Sequence, residues 1–307
     1  MNTYAPQCLL YAQHGWADDH RAIATLADSL ADPSMLVFAP SLGYVKTWLR
    51  IEPLIQQVEN LALETTLRHP ELPLRIIGHS MGGLIWLEVL DRHPELWSRV
   101  EALVLVGSPV GGADLARALD PFNLGIGIAR DLGKNRRPIA ERIATQIPTL
   151  VIAGDIDHGS DGTITVQSTK VFGTQFVSLP GVAHAPLKNH PAVAAAIAQF
   201  WSTLPSRRPT DGDNSEILTQ YLIRRLQNTL GMTDAHLRDF PKAQPYLTFA
   251  NGVSLRRWKH PLGIDHIFVA CPAGTCLYGG FVGWAHSAQL HQTLKQLQQD
   301  HSTGLLL

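Results

Sequence analysis

Short apolar runs alternate with amphipathic segments through the first two hundred residues. Six of these runs have the length and composition of strands and show little polar alternation: Cys8 to Tyr11, Met35 to Ala39, Leu74 to Ile77, Ala102 to Val106, Thr149 to Ala153 and Gln175 to Leu179. Strands that are apolar on both sides are typical of a parallel sheet buried between helices. The pattern predicts the α/β class, with a mostly parallel sheet of six or more strands and helices on both faces.

Helical periodicity appears between the strands. It is clearest from Pro53 to Leu67, where apolar residues recur every three or four positions and the proline suits the first turn. A second helix is predicted from Pro191 to Trp201, with Asn189 as its cap.

The alternation of apolar runs and helical segments stops near residue 205. Residues 205–215 are polar, rich in Pro and Gly, and lack periodic apolar positions, which is typical of a linker. We therefore predict two domains, 1–205 and 206–307, the second a small α+β domain. Its predicted elements are two helices, 216–230 and 287–299, and four strands, 246–249, 253–258, 267–270 and 278–284. Asn251-Gly252 predicts a two-residue hairpin turn.

The composition limits the partners and the cellular compartment that we expect for this protein. Hydrophobic residues make up 45% of the chain and the formal net charge is −1, so no global field would attract nucleic acid. Three cysteines are too few for a disulfide framework and favour a reducing compartment. The start lacks the features of a signal peptide, and no apolar run reaches the roughly 18 residues that a transmembrane helix needs. We expect a soluble, cytoplasmic protein.

A candidate nucleophile follows the third strand. Gly78-His79-Ser80-Met81-Gly82-Gly83 stands between a strand and a helical run, which is the order of a G-x-S-x-G nucleophile elbow. The glycines suit a strained turn in which strand and helix approach closely. The alternative is a glycine-rich connection with an idle serine. The companion residues favour Ser80 as a nucleophile.

A candidate base follows the sixth strand. Serine is a poor nucleophile until a base removes its proton, and His184 ends the loop that leads to the last helix of the domain. His190, directly before Pro191, is the alternative, but its position favours a residue that starts the helix.

The remaining parts of the site are an acid and an oxyanion hole. Three aspartates, Asp155, Asp157 and Asp161, follow the fifth strand, and all satisfy the chain order Ser, Asp, His, so the residues alone leave the choice open. His14-Gly15-Trp16 ends the first strand. We predict that the backbone N–H groups of Trp16 and Met81 form the oxyanion hole, and that His14 orders the loop.

These motifs resemble the α/β-hydrolase superfamily, within it the small lipase and esterase branch. The resemblance covers about Leu9 to Trp201, with HGW at the oxyanion position, GHSMGG at the elbow and SDGTITVQST ahead of VAH. It implies an acid in a D-G-x-V type segment, which is Asp161 here, or an aspartate three residues after Gly154, which is Asp157. The likeness of the whole run through Ser168 favours Asp161. Relatives that act on haloalkanes or epoxides have an aspartate at the elbow, so Ser80 favours acyl chemistry.

The predicted function is hydrolysis of a carboxylic ester, with an apolar small molecule as substrate, through an acyl-Ser80 intermediate, without cofactor or metal. A thioesterase, an acyltransferase or a non-catalytic binding protein of the same fold are the alternatives. Residues 110–147 would form either a small lid over an apolar pocket or a helix pair that closes the core.

The role of residues 206–307 stays open between a functional module, which would dock a partner protein or cover the mouth of the active site, and added packing against the hydrolase. Cys271 and Cys276 would need His260, His266 or His286 to bind zinc, and we favour two buried strand cysteines. The basic run from Arg256 to His260 favours a solvated strand edge.

Overall fold

The structure is a computed structural model that describes residues 5–112, 128–204 and 214–302. The chain divides into two units, Met1–Arg208 and Pro209–Leu307. The central part of the predicted lid and the predicted domain boundary at residue 205 lie outside the described residues. Both stay predictions.

Six strands form one parallel sheet in the amino-terminal unit. They are β1 (Cys8–Gln13), β2 (Met35–Phe38), β3 (Leu74–His79), β4 (Val100–Val106), β5 (Thr149–Asp155) and β6 (Gln175–Pro180). Their order across the sheet is β2-β1-β3-β4-β5-β6, and every neighbouring pair is parallel. Because apolar residues occupy successive positions along the inner strands, both faces of the sheet can be buried. The predicted α/β class is confirmed.

Helices cover both faces of this sheet. They are α1 (Arg21–Leu30), α2 (Glu52–Arg68), α3 (Met81–Arg92), α4 (Ile128–Leu132), α5 (Arg137–Ala144), α6 (Val166–Thr169) and α7 (Pro191–Ser202). Helices α1 and α7 share one core with alternate strand residues such as Leu10 and Ile77. Helices α2 to α5 share the other core, with Leu9 and Ile76. The alternation of strand side chains produces this division.

The strand order brings the loops that carry the candidate catalytic residues to one edge of the parallel sheet. Strands β3, β4, β5 and β6 are consecutive both in the chain and in the sheet. Since all are parallel, the loops that follow them leave the sheet at the same edge, and β1 ends there as well. This edge carries the elbow, residues 156–165 after β5, here called the acid loop, the loop after β6 that contains His184, and the loop after β1. Ligands bind at this edge in open α/β sheets.

The carboxyl-terminal unit contains an antiparallel sheet of five strands, β7 (Met232–Asp234), β8 (Gln244–Thr248), β9 (Ser254–Lys259), β10 (Asp265–Ala270) and β11 (Cys276–Val282). Their order is β7-β11-β10-β9-β8. Two helices, α8 (Asn214–Gln227) and α9 (Ser287–Ser302), contribute Leu222, Leu226, Leu290 and Leu294 to a core on one face. The predicted α+β content of this region is confirmed.

Three local predictions in this unit are wrong. The hairpin between β8 and β9 has a three-residue loop, because the Phe249 N–H donates to the Val253 carbonyl and Gly252 alone has a positive φ of 84°. The run from Arg256 to His260 is no edge, since β9 lies between β8 and β10. Cys271 and Cys276 are half-buried, and Cys271 follows the end of β10.

Within the described residues, none of the helices combines the length and the apolar composition that crossing a bilayer would require.

Candidate active site

Ser80 occupies the sharp turn between β3 and α3. Its backbone has φ 54° and ψ −124°, a conformation that residues with a side chain rarely adopt. Such strain costs on the order of 1–3 kcal/mol and persists where the surroundings enforce it. Here the Ser80 N–H donates to the Val106 carbonyl at 2.8 Å, which fixes the turn to the neighbouring strand. The turn holds the hydroxyl clear of the sheet at the edge where the other loops meet.

Close approach explains the glycine that follows the nucleophile. A Cβ atom on Gly82 would lie 2.3 Å from the Gln13 carbonyl oxygen and 2.7 Å from that of His14. Both are backbone atoms, which cannot move aside without shifting β1. A side chain at position 82 would therefore separate α3 from the loop after β1.

The imidazole of His184 contacts both proposed partners. Its Nε2 lies 3.1 Å from Ser80 Oγ and its Nδ1 lies 2.6 Å from Asp161 Oδ2, although the three residues are far apart in the chain. Because an ionised carboxylate can only accept, Nδ1 carries the proton in the neutral ring. The Nε2 lone pair is then free to accept the proton of the Ser80 hydroxyl.

Asp161 is buried, and hydrogen bonds fix its orientation. Its second carboxylate oxygen accepts the N–H groups of Thr163 at 3.0 Å and Ile164 at 2.6 Å. The Asp161 carbonyl also accepts the backbone N–H of His184 at 2.9 Å. Side chain and main chain of this residue together position the imidazole.

The other two candidate acids, Asp155 and Asp157, form hydrogen bonds within their own loop. Asp157 accepts the backbone N–H of Ser160 at 2.8 Å, and Asp155 accepts that of Gly159 at 2.8 Å. Both are ordinary contacts of aspartates that order a turn. The structure brings Asp161, and not these two, to the imidazole.

The alternative base, His190, caps a helix. Its Nδ1 accepts the N–H of Ala192 at 3.2 Å, at the start of α7. The prediction that Asn189 caps this helix is therefore wrong. This hydrogen bond holds the His190 ring at the start of the helix.

The loop of residues 14–17, here called the oxyanion loop, lies against the elbow. A Cβ on Gly15 would lie 2.8 Å from Ser80 Cβ and 3.2 Å from the Met81 nitrogen. Neither the Trp16 N–H nor the Met81 N–H donates to another group in the described part of the chain. Both N–H groups therefore remain candidates for the predicted oxyanion hole.

His14 orders the oxyanion loop from inside. It is fully buried, its Nε2 accepts the Leu42 N–H at 2.9 Å, and its Nδ1–H donates to the Gly15 carbonyl at 3.0 Å. Burial lowers the pKa of this imidazole below its ordinary value, which keeps the ring neutral. Both ring nitrogens are thereby used within the loop, as expected for an ordering residue.

Comparison with known structures identifies this architecture. Est1E from Butyrivibrio proteoclasticus, solved with ferulic acid bound, superposes with a TM-score of 0.51 at 15% identity, over 67% of this chain and 92% of its own. The amino-terminal unit has the α/β-hydrolase fold. This is the fold that the motifs of the unit predict.

A family model and two further solved structures are also similar to this chain. A family model described as Serine aminopeptidase, S33, matches residues 4–125 of the hydrolase-fold unit. An α/β hydrolase from Novosphingobium aromaticivorans has 20% identity and a TM-score of 0.43, over 64% of this chain and 90% of its own. The RedJ thioesterase from Streptomyces coelicolor has 18% identity and a TM-score of 0.42, over 65% and 95%. No curated protein sequence matches this chain.

His79 belongs to the candidate site, although the sequence did not predict it. Its Nε2–H donates to the His184 carbonyl at 3.2 Å, and the two rings lie 5.0 Å apart between centroids. Burial, reinforced by the neighbouring His184, holds its pKa well below the ordinary value, so the ring is neutral. Its position directly before the nucleophile was the available signal, but the contact with a loop 105 residues away needed the fold.

The part of the chain that the structure describes contains no group of three or more His, Cys, Asp and Glu side chains that could hold a metal ion. The zinc alternative for Cys271 and Cys276 therefore has no support among these residues.

Proposed function

We propose that this protein is a serine hydrolase that cleaves a carboxylic ester through an acyl-Ser80 intermediate. One observation carries the proposal: a single imidazole, His184, lies within hydrogen-bond distance of both the Ser80 hydroxyl and the Asp161 carboxylate. This is the arrangement by which a serine is activated as a nucleophile.

Acylation would proceed in two steps. Ser80 Oγ attacks the ester carbonyl carbon while its proton passes to His184 Nε2, which gives a tetrahedral intermediate with a negative oxygen. The bond from carbon to the alcohol oxygen then breaks, and His184 returns the proton to that oxygen, so the alcohol leaves neutral. The acyl group remains on Ser80.

Deacylation would repeat these steps with water. A water molecule attacks the acyl carbon and gives one proton to His184 Nε2, after which the bond to Ser80 Oγ breaks and the proton returns to the serine. The products are the carboxylic acid and the free enzyme. Since the imidazole is charged in both transition states, the Asp161 carboxylate stabilises it throughout.

The available amides of Trp16 and Met81 support the proposed oxyanion hole. Backbone N–H groups that already point at the developing charge need no reorganisation, and the loss of one such donor typically costs ~10²–10³ in rate. The tight fit of Gly15 against Ser80 keeps the oxyanion loop beside the nucleophile. A side chain at position 15 would displace it.

Substitution of the nucleophile tests the proposal. We expect Ser80→Ala to lower kcat on a short acyl ester by on the order of 10⁶, and to abolish labelling by a fluorophosphonate, because the reactive hydroxyl is lost. Ser160→Ala is the matched control, since Ser160 belongs to the acid loop and contacts Asp157 instead. Hydrolysis by Ser80→Ala at the wild-type rate, or an unlabelled wild-type protein, would contradict the proposal.

A further inference from the structure

Four large apolar side chains are exposed within six consecutive residues of the loop between β2 and α2. Their exposed fractions are 56% for Tyr44, 72% for Val45, 44% for Trp48 and 62% for Leu49. Elsewhere in the described residues, exposed large apolar side chains occur singly or in pairs, such as Leu262 and Trp284, whose indole N–H donates to the Leu262 carbonyl. Single exposed apolar residues need no explanation, whereas a contiguous group marks an interaction site. Residues 44–50 are here called the docking segment.

The docking segment is held in place from beneath. Thr47 is fully buried; its hydroxyl donates to the Tyr44 carbonyl at 2.6 Å and accepts the Ala17 N–H at 3.1 Å. Directly after the segment, the Ile51 N–H donates to Asp131 at 3.0 Å. Exposure of the apolar side chains is therefore a built feature of an ordered loop.

The same contacts place the segment beside the catalytic residues. Ala17 belongs to the oxyanion loop, and the Trp48 ring lies 4.4 Å from that of Trp16, edge to face. Trp16 in turn follows Gly15, which lies against Ser80. One layer of residues separates the exposed apolar group from the proposed oxyanion hole.

The chemistry of the segment fits a lipid surface. Tyr and Trp are enriched where a protein meets the boundary between headgroups and acyl chains, because their rings are apolar with one polar atom. Lys46 and Arg50 are exposed among them, and residues 41–51 contain no acidic side chain. Arg50 is ion-paired with Asp131, with its Nε 2.9 Å from Asp131 Oδ2. Although the net charge of the chain is only −1, the exposed Lys46 ammonium gives this surface a cationic group that complements anionic headgroups.

The size of the group favours a lipid surface over a protein partner. A stable protein interface involves about 20–30 residues on each side, far more than this segment supplies. Insertion of a few apolar side chains, combined with charge attraction, suffices for reversible binding to a membrane surface.

We propose that the docking segment binds the surface of an anionic phospholipid bilayer, and that the ester hydrolysed at Ser80 is carried by a lipid in that surface. This inference rests on the proposed function. The exposed side chains of Val45 and Leu49 enter the headgroup region while Lys46 contacts the headgroups. A lipid ester that leaves the bilayer at this point meets the oxyanion loop first.

Co-sedimentation with vesicles tests the docking segment. We expect the wild-type protein to sediment with vesicles of phosphatidylcholine and phosphatidylglycerol, and the double variant Val45→Ser, Leu49→Ser to bind roughly tenfold or more weakly. Leu67→Ser is the matched control, because Leu67 lies on α2 and is 80% exposed, and it should bind as the wild type does. Lys46→Glu should weaken binding on the same vesicles.

Several results would overturn the inference. These are wild-type protein that stays in the supernatant, a double variant that binds like Leu67→Ser, or binding that is equally strong without phosphatidylglycerol.

The Ser80→Ala protein separates this inference from the proposed function. If it binds vesicles while the wild type hydrolyses no ester, the docking segment stands and the proposed function fails. If the wild type hydrolyses a water-soluble ester but does not bind vesicles, the docking inference alone fails.

Discussion

Asp157 and Asp161 lie four positions apart in one loop, and their surroundings give them different roles. Asp161 is buried and touches His184, whereas Asp157 contacts Ser160 in its own turn. Sequence left both as candidates, because loop length and chain order suit either. What decides is the folding of the loop itself, in which the Asp161 N–H donates to the Ile164 carbonyl and turns the carboxylate inward.

Asp161→Asn should lower kcat on a short acyl ester by about 10⁴, because an amide can donate to Nδ1 and hold the imidazole in the wrong tautomer. Asp157→Asn, the matched substitution in the same loop, should change kcat by less than about threefold, as surface changes usually have small effects. Steady-state kinetics of both variants measure this. A similar loss in both would remove the distinction that the geometry makes.

At the scale of elements, the turn from β3 to α3 depends on the absence of a side chain at position 82. Gly82→Ala would place a Cβ 2.3 Å from the Gln13 carbonyl oxygen, so β1 and α3 would have to separate. We expect a loss of about 3 kcal/mol in the free energy of unfolding, at the upper end for overpacking. Urea denaturation measures it.

Gly173→Ala is the control for this prediction. Gly173 has a φ of 79° and no atom within 4 Å of the position that a Cβ would take, so only backbone strain opposes the alanine. A cost of about 1–2 kcal/mol is expected there. If Gly82→Ala is the milder of the two, the close approach of α3 to β1 does not limit the fold.

Elements with a strong pattern could be predicted from the sequence, and short or long-range features could not. All six parallel strands were found, but β3 was predicted to end at Ile77 and reaches His79, because Gly and His carry no strand signal. Strand β7 has three residues and was missed, since so short a run shows no alternation. The cap of α7 is His190, through its ring nitrogen, and not Asn189. The sequence could not predict this, because histidine is not among the residue types favoured at the start of a helix.

At the scale of the whole molecule, buried neutral histidines make stability depend on pH. Burial lowers the pKa of His14 and His79 in the folded state, while the unfolded chain takes up protons near the ordinary value of about 6.5. The contribution of these two histidines to the free energy of unfolding is therefore complete above about pH 6.5 and is lost as the pH drops below that value. Each group contributes a slope of up to about 1.4 kcal/mol per pH unit.

His79→Gln should make this dependence shallower, by about 1 kcal/mol over the interval from pH 6.5 to 5.5, where the unfolded histidine is only partly protonated, whatever the effect of the substitution at neutral pH. Urea denaturation of both proteins at several pH values, followed by tryptophan fluorescence, gives the two slopes. His93 does not interfere. Burial alone would lower its pKa, but Glu95 and Glu59 raise it, so its contribution is complete below pH 6.5 and is lost at higher pH. Identical slopes would show that His79 takes up a proton in the folded state.

Under the proposed function, the order of strands also decides when Ser80 becomes reactive. Ser80 follows the third strand, but the imidazole beside it arrives 104 residues later, after the sixth. A chain still on the ribosome therefore carries an ordinary alcohol at this position, even when the first half of the sheet has formed. Reactivity would begin only when β6 has joined the parallel sheet, so a nascent chain would carry no activated serine until its amino-terminal unit has folded.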